Sequence, residues 1–218
     1  MKRFLGQTHL TILRGNRNVD KAGTMVVDQL LRRCLRGEEA AIQAVFDRYK
    51  NYILRVAWLM LGDMQEAEDA TQEAFESAFR SLGSYRGDAS FETWLYQIVI
   101  NRCRSKLRRK QLLRIPWVRF VEEPIAARSD QQPEAIAIAQ EERREILDAV
   151  RSLTPRLREV VVLYYYRDCS CSEIATITGV NEATVRVRLH RARQQLQTIL
   201  RAHEINLGAS VAMEHSKL

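Results

Sequence analysis

The chain has 218 residues, 34 basic and 27 acidic side chains, and a formal net charge of +7. At ~150 residues per domain, that length allows one domain or two small ones, and 46% hydrophobic with 28% charged residues is ordinary for a soluble globular protein. No stretch approaches the ~18 apolar residues of a membrane span, and the opening MKRFLGQTHLTILRGNRN is too interrupted for a signal peptide, so a cytoplasmic chain without membrane insertion is expected.

Residues 1–24 carry a net +4 and read as a basic N-terminal extension, ordered or not. Helical periodicity then dominates and strand-like alternation is almost absent, so the expected class is all-α. Val26, Val27, Leu30, Leu31, Cys34 and Leu35 form one apolar stripe closed by Gly37. Ile42, Val45, Phe46, Tyr49, Ile53, Val56, Ala57 and Met60 form a second, ending at Gly62. Asp63, with Glu66 three residues on, reads as the capping box of a third helix lined by Met64, Ala67, Ala70, Ala74, Phe75, Ala78, Phe79 and Leu82. Ser84–Ala89 reads as a loop, and Ser90 caps a fourth helix lined by Phe91, Trp94, Leu95, Ile98 and Val99. Residues 25–110 thus make one four-helix domain, large enough to bury its own core.

Residues 111–133 hold three of the four prolines and no sustained period, which reads as a flexible linker. A second small helical domain, 134–202, follows, and 203–218 reads as a fraying tail. Thr154-Pro155 marks a helix start. The four cysteines are scattered; only Cys169 and Cys171 are close, and no second pair or nearby histidine completes a zinc site, so no metal or cofactor is expected.

The sharpest local signal is in this second domain. Ser170 and Glu173 form a capping box, Ala175 is small where two helices would cross, Gly179 follows four residues later, and Asn181 can cap the next helix. With Val185 facing back into the angle, this is helix-turn-helix geometry. The second helix offers Arg186, Arg188, His190, Arg191 and Arg193 opposite a stripe of Val185, Leu189, Ala192, Leu196, Ile199 and Leu200. Arginines for phosphates and guanine edges on one face, with anchorage on the other, suit a helix in a major groove; the bland alternative is a solvated basic helix.

In the first domain, the third helix carries Asp63, Glu66, Glu68, Asp69, Glu73 and Glu76 with no basic residue between Arg55 and Arg80. Carboxylates fanned around one helix suit a basic protein partner better than a metal, whose ligands converge from several elements. The fourth helix begins aromatic (Tyr85, Phe91, Trp94, Tyr96) and ends basic (Arg102, Arg104, Lys106, Arg108, Arg109, Lys110). Aromatic platforms beside a cationic track fit single-stranded nucleic acid, although Trp94 at helical spacing reads more readily as core. Tyr85 and Arg86 in the loop are freer to touch DNA, and Asn101 is placed to hydrogen-bond an extruded base or to be a surface asparagine.

EAEDATQEAFESAFRSL (66–82), YRGDASFETWLYQIVINRCRSKLRR (85–109) and LTPRLREVVVLYYYRDCSCSEIATITGVNEATVRVRLHRARQQL (153–196) together resemble the sigma-70 family, in particular its compact extracytoplasmic-function (ECF) members. The resemblance implies a non-enzymatic factor that directs core RNA polymerase to promoters, engages its clamp helices and flap, and is held in check by an anti-sigma protein. Glu68, Asp69, Gln72, Glu73 and Phe75 match the helix that binds the clamp helices. Tyr85, Arg86, Ser90 and Asn101 match the elements that capture melted −10 DNA, and Arg102, Lys106, Arg108 and Arg109 the track holding the duplex upstream. Arg186, Val187, His190 and Arg191 match positions facing the −35 element, with Arg188 and Arg193 nearer the backbone. Val187 stands where members often have serine, so −35 preference does not transfer, and residues 1–24 have no counterpart, Met25 being where compact members usually start. Two other readings compete: a free-standing helix-turn-helix regulator, which leaves the acidic helix without a role, and a magnesium-dependent nuclease using the 63–76 carboxylates.

Overall fold

The computed structural model describes the backbone of residues 21–112 and 144–215, with side chains over 26–112 and 144–202. The described residues are helical with no strand, in two bundles. The first holds α1 (Lys21–Leu35), α2 (Glu39–Leu61), α3 (Met64–Arg80) and α4 (Phe91–Leu112). The second holds α5 (144–152), α6 (Pro155–Val161) running into a π-helical turn over Val162–Tyr166, α7 (Cys171–Thr178) and α8 (Glu182–His215). Most of the expected extension and linker lie outside the described residues. The expected tail does not begin a new segment: the α8 backbone stays helical through it to His215.

The boundaries follow local chemistry. α2 stops at Gly62, whose φ of 74° lets its N–H reach back to the Trp58 carbonyl. Asp63 caps α3 by accepting from the Glu66 N–H at 2.9 Å. Ser90 Oγ accepts from the Thr93 N–H at 3.2 Å at the start of α4. At α6, Thr154 holds the expected position but makes no side-chain cap; its carbonyl accepts from Leu157 and Arg158, with Pro155 in the first turn.

The expected stripes are buried with two corrections at the periphery. Val26 and Leu35 of α1 face solvent, leaving Val27, Leu31 and Cys34 as its inner face. The end of α2 is buried all round: besides Val56, Ala57 and Met60, the side chains of Trp58, Leu59 and Leu61 are enclosed. A helix apolar on every side needs cover on every side, and here the second bundle supplies it. α6 and the π-turn pack on α2, while α6 and α7 pack on α4. One continuous hydrophobic core therefore runs through both bundles, from Val27 to Leu196.

Candidate nucleic-acid and polymerase interface

The helix-turn-helix is assembled as its sequence requires. Ser170 and Glu173 cap one another reciprocally, Glu173 N donating to Ser170 Oγ at 3.2 Å and Ser170 N to Glu173 Oε2 at 2.8 Å. Gly179 takes φ 70° and its N–H closes α7 on the Ala175 carbonyl at 2.9 Å. Asn181 Oδ1 accepts from the Thr184 N–H at 2.8 Å and starts α8. Val185, Leu189, Ala192 and Leu196 are buried, so α8 has one fixed rotation. That rotation leaves Arg186, Val187, His190 and Arg191 exposed together. Val187 at 49% exposure is an apolar side chain among cations, able to contact a thymine methyl. Of the two remaining arginines, Arg188 is half-buried and its Nη1 donates to Glu159 Oε1 at 3.1 Å, while Arg193 stays exposed, its Nε donating to Tyr165 Oη at 2.8 Å and its guanidinium lying over the Tyr164 and Tyr165 rings.

On α3, Glu68, Asp69, Gln72 and Glu73 are exposed along one face with Glu76. Phe75 is not on that face. It is 3% exposed, its ring 4.8 Å from Phe46 and 6.1 Å from Phe79, and it fastens α3 to α2 from inside.

On the fourth helix, the Tyr85 ring packs against Phe91 (5.8 Å) and Trp94 (5.4 Å), and its hydroxyl donates to the Ala89 carbonyl at 2.8 Å, which pins the loop. Arg86 and Ser90 are exposed on that loop. Asn101, Arg102, Arg108 and Arg109 are exposed on the helix, Arg102 donating to Ser77 Oγ at 3.1 Å. Lys106 is placed differently. Its Nζ lies 3.2 Å from Glu73, 3.7 Å from Glu66 and 3.8 Å from Asp69, so it faces α3 across the bundle. Burial alone would lower its pKa, but the three carboxylates outweigh burial and hold it above the ordinary lysine value. This ammonium already neutralises part of the cluster that the nuclease reading needs for a metal. Among the described residues, no three His, Cys, Asp or Glu side chains converge as a metal site.

Sequence reasoning missed a set of charged residues between the bundles. Arg104 of α4 makes a two-pronged pair with Glu159 of α6, Nε to Oε2 at 2.7 Å and Nη2 to Oε1 at 2.8 Å. Glu159 is fully buried. Arg158 donates to the Met60 carbonyl at the end of α2, and Arg167 to the Glu92 carboxylate of α4. The signal was present: Arg158 and Glu159 interrupt the apolar run LREVVVL, and buried charges need partners. Beside the Arg104–Glu159 pair lies a cleft of about 910 Å³ lined by Asn101, Arg104, Arg108, Arg156, Thr178 and Arg188.

Comparison with known proteins places this architecture. Residues 45–112 match the family model for sigma-70 region 2, and residues 143–196 the model for sigma-70 region 4. The RNA polymerase sigma-H factor of Pseudomonas aeruginosa is 33% identical over 178 residues, covering 79% of this chain and 92% of that protein. The chain belongs to the sigma-70 family. The ECF sigma-E factor of Escherichia coli (31% identical; 78% of this chain, 93% of that protein) and ECF SigW of Bacillus subtilis (29%; 81% and 98%) place it among the ECF factors. CnrH, solved with the cytosolic domain of CnrY, shares the fold at 22% identity and TM-score 0.60, over 79% of this chain and 96% of that one. RpoE of Bartonella quintana, solved with the anti-sigma factor NepR, does so at 20% and 0.59, over 73% and 96%. The first matched region falls in the first bundle, from within α2 to the end of α4, and the second in the second bundle of this ECF factor, and the family is one of transcription initiation factors. No helix among its described residues is long and apolar enough to cross a membrane.

Proposed function

We propose that this ECF factor is a dissociable promoter-specificity subunit acting in the cytoplasm, with residues 25–110 as its polymerase-docking and −10 domain and 134–202 as its −35 domain. The observation that carries the reading is the α8 face: Arg186, Val187, His190 and Arg191 are exposed in one patch, directly after the turn at Gly179, over a buried apolar stripe. This is the arrangement by which a recognition helix reads base edges while its other side is anchored. Glu68, Asp69, Gln72 and Glu73 dock the clamp helices, with Phe75 supporting them from the core. Tyr85, Arg86, Ser90 and Asn101 hold melted −10 DNA, and Arg102, Arg108 and Arg109 the duplex beside it. Lys106 contributes by setting the potential between α3 and α4, and Arg188 and Arg193 lie at the margin of the −35 face.

In this reading the factor makes and breaks no covalent bond; polymerase does. Binding free energy is directed to the strand-separated promoter, which shifts the equilibrium toward melting. Expression of a stress or envelope-type regulon under an anti-sigma protein fits the ECF membership and the two structural relatives solved with partner proteins.

Run-off transcription with purified core polymerase tests the whole reading: promoter-specific transcripts are expected only when the factor is added. Asn101→Ala tests the −10 site. Permanganate footprinting should show open-complex formation falling by about tenfold or more, the loss of one buried base-edge contact. Binding to closed duplex in a gel shift should hardly change. Equal losses in both assays would remove Asn101 from base capture.

A further inference from the structure

We infer that Lys106 is a built-in counter-cation of the polymerase-docking face, holding its affinity for core enzyme below what the α3 carboxylates alone would give; this rests on the docking role proposed above. The polar side chains of α3 fall into two rows. Glu68, Gln72 and Glu76, spaced four residues apart, form an exposed outer row, in which Gln72 Nε2 donates to Glu76 Oε1 at 3.0 Å. Glu66, Asp69 and Glu73, spaced by three and four, form an inner row beside α4. Among the described residues, the ion pairs of α3 fall on this inner row. Lys106 Nζ lies 3.2 Å from Glu73 Oε1, 3.7 Å from Glu66 Oε2 and 3.8 Å from Asp69 Oδ2. Lys110 Nζ lies 3.7 Å from Glu66 Oε1.

The two rows therefore present different charge to a basic partner. The outer row shows both of its carboxylates, whereas in the inner row two ammonium groups offset two of the three. Glu66 has a lysine at each oxygen and is turned into the bundle. Asp69 and Glu73, both exposed members of the docking set, each keep one oxygen outside the Lys106 contact.

A cation in that place has two opposed effects. It steadies the carboxylates for a partner, and it repels the cations that the partner brings. The distances decide between them. Only the Glu73 contact is short enough for a hydrogen bond, and exposed ion pairs as loose as those to Asp69 and Glu66 fix side chains weakly. Repulsion needs no contact: a partner cation about 6 Å from the ammonium loses about threefold in affinity even in water. The Lys106 side chain is only 19% exposed, so its stem is packed and the charge stays in place. Neutralisation outweighs steadying, and Lys106 tunes docking downward.

Lys106→Met in the full-length protein, which keeps the stem and removes the charge, tests this by the sign of its effect. Binding to purified core polymerase is measured without DNA, so that a phosphate contact by Lys106 cannot contribute. The variant should bind about threefold tighter, chiefly through faster association. The gain should shrink with salt, because the screening length falls from about 10 Å at 0.1 M to about 3 Å at 1 M. Lys106→Arg, which restores the charge, should cancel it. Weaker binding by the methionine variant would make Lys106 a support for the carboxylates and overturn the inference. Unchanged core binding with weaker binding to forked −10 DNA would make it a DNA contact and overturn it equally. If Lys106→Met loses its helical circular dichroism, Lys110→Met carries the test, with a smaller gain of about twofold in the same direction. No gain there would overturn the inference. Glu68→Lys separates this inference from the docking reading beneath it. If it weakens core binding while the lysine variants gain nothing, the counter-cation alone falls. If it leaves core binding unchanged, the docking role of α3 falls.

Discussion

Arg167 shows what a buried charge requires in this protein. It is 2% exposed, donates to the Glu92 carboxylate, and lies over the rings of Tyr52 (4.5 Å) and Tyr96 (5.3 Å). Its Nε and Nη1 have no hydrogen-bond acceptor among the described residues, so the aromatic faces supply the remaining stabilisation of its charge. Burial by itself would lower its pKa, but Tyr96 and Glu92 outweigh burial and hold it above the ordinary arginine value. Replacing it with alanine leaves Glu92, 7% exposed, with only the Tyr96 hydroxyl at 2.9 Å. The expected loss is about 3 kcal/mol in urea unfolding, the cost of an uncompensated buried charge. Arg167→Lys should lie between, keeping the charge but not the flat stacking. A loss under about 1 kcal/mol for the alanine variant would place the pair in the weak class of surface ion pairs.

Cys103 is the opposite case, a group kept neutral. Burial pushes its thiol from the ordinary 9.0 up to about 12. In the unfolded chain the thiol ionises first, so the unfolded state binds fewer protons over this window. Stability should therefore be intact below pH 9 and fall as pH rises toward about 12. Cys103→Ala should flatten that part of the profile. Because the thiolate is the reactive form, a disulfide reagent at neutral pH should modify half-buried Cys171 in the native protein and reach Cys103 only on unfolding.

At the scale of elements, the helix-turn-helix depends on a few local devices. Gly179 has open space around the position of an added Cβ, so Gly179→Ala meets no neighbour; its whole cost is the left-handed φ of 70°. That cost is about 1 kcal/mol, and Ser170→Ala, which removes the Oγ acceptor for the Glu173 N–H but keeps the backbone N–H that donates to Glu173, should cost about the same. Each should lower the thermal midpoint by a few degrees, about 2–4 °C for a chain of this size. A midpoint that does not move in either variant would mean that packing of α8, rather than the turn, fixes the angle. These devices were legible in the sequence because each acts within four residues of itself: Ser170 with Glu173, Gly179 with Ala175, Asn181 with Thr184. Helical stripes were legible for a similar reason, since periodicity states which face is buried. It does not state by what. The all-round burial at Trp58, Leu59 and Leu61, the partners of Glu159, and the turning of Lys106 toward α3 depend on residues far away in the chain or on a neighbouring helix. Phe75 illustrates the same limit: it belongs to the sequence of the acidic helix, but its rotation puts it under the exposed face.

For the whole molecule, the consequence of a shared core is cooperative unfolding. Arg158, 1% exposed, satisfies the Met60 carbonyl left open at the end of α2 and donates also to the Arg151 and Leu153 carbonyls of its own bundle. The C-terminal end of a helix is electronegative, so a cation there is favourable. Burial, reinforced by the nearby Arg151 charge, lowers the Arg158 pKa to about 10, still protonated at neutral pH. Arg151 in turn lies 4.4 Å over the ring of Trp58, which has Arg55 at 4.2 Å. With Trp94 and Trp117 replaced by phenylalanine throughout, tryptophan emission comes from Trp58 and reports on the junction, whereas far-UV circular dichroism reports on helices in both bundles. In wild type the two signals should follow one transition in urea, as for a two-state domain. Arg158→Ala removes the cation at the α2 terminus and leaves Met60 and Leu153 carbonyls without their donor. Tryptophan emission should then shift to the red at lower urea than the loss of helix, because the junction parts before either bundle melts. Separate transitions in the wild type would show that the two halves fold without regard to one another, whereas coincident curves in the variant would show that the apolar contacts of α2 with α6 suffice to couple them.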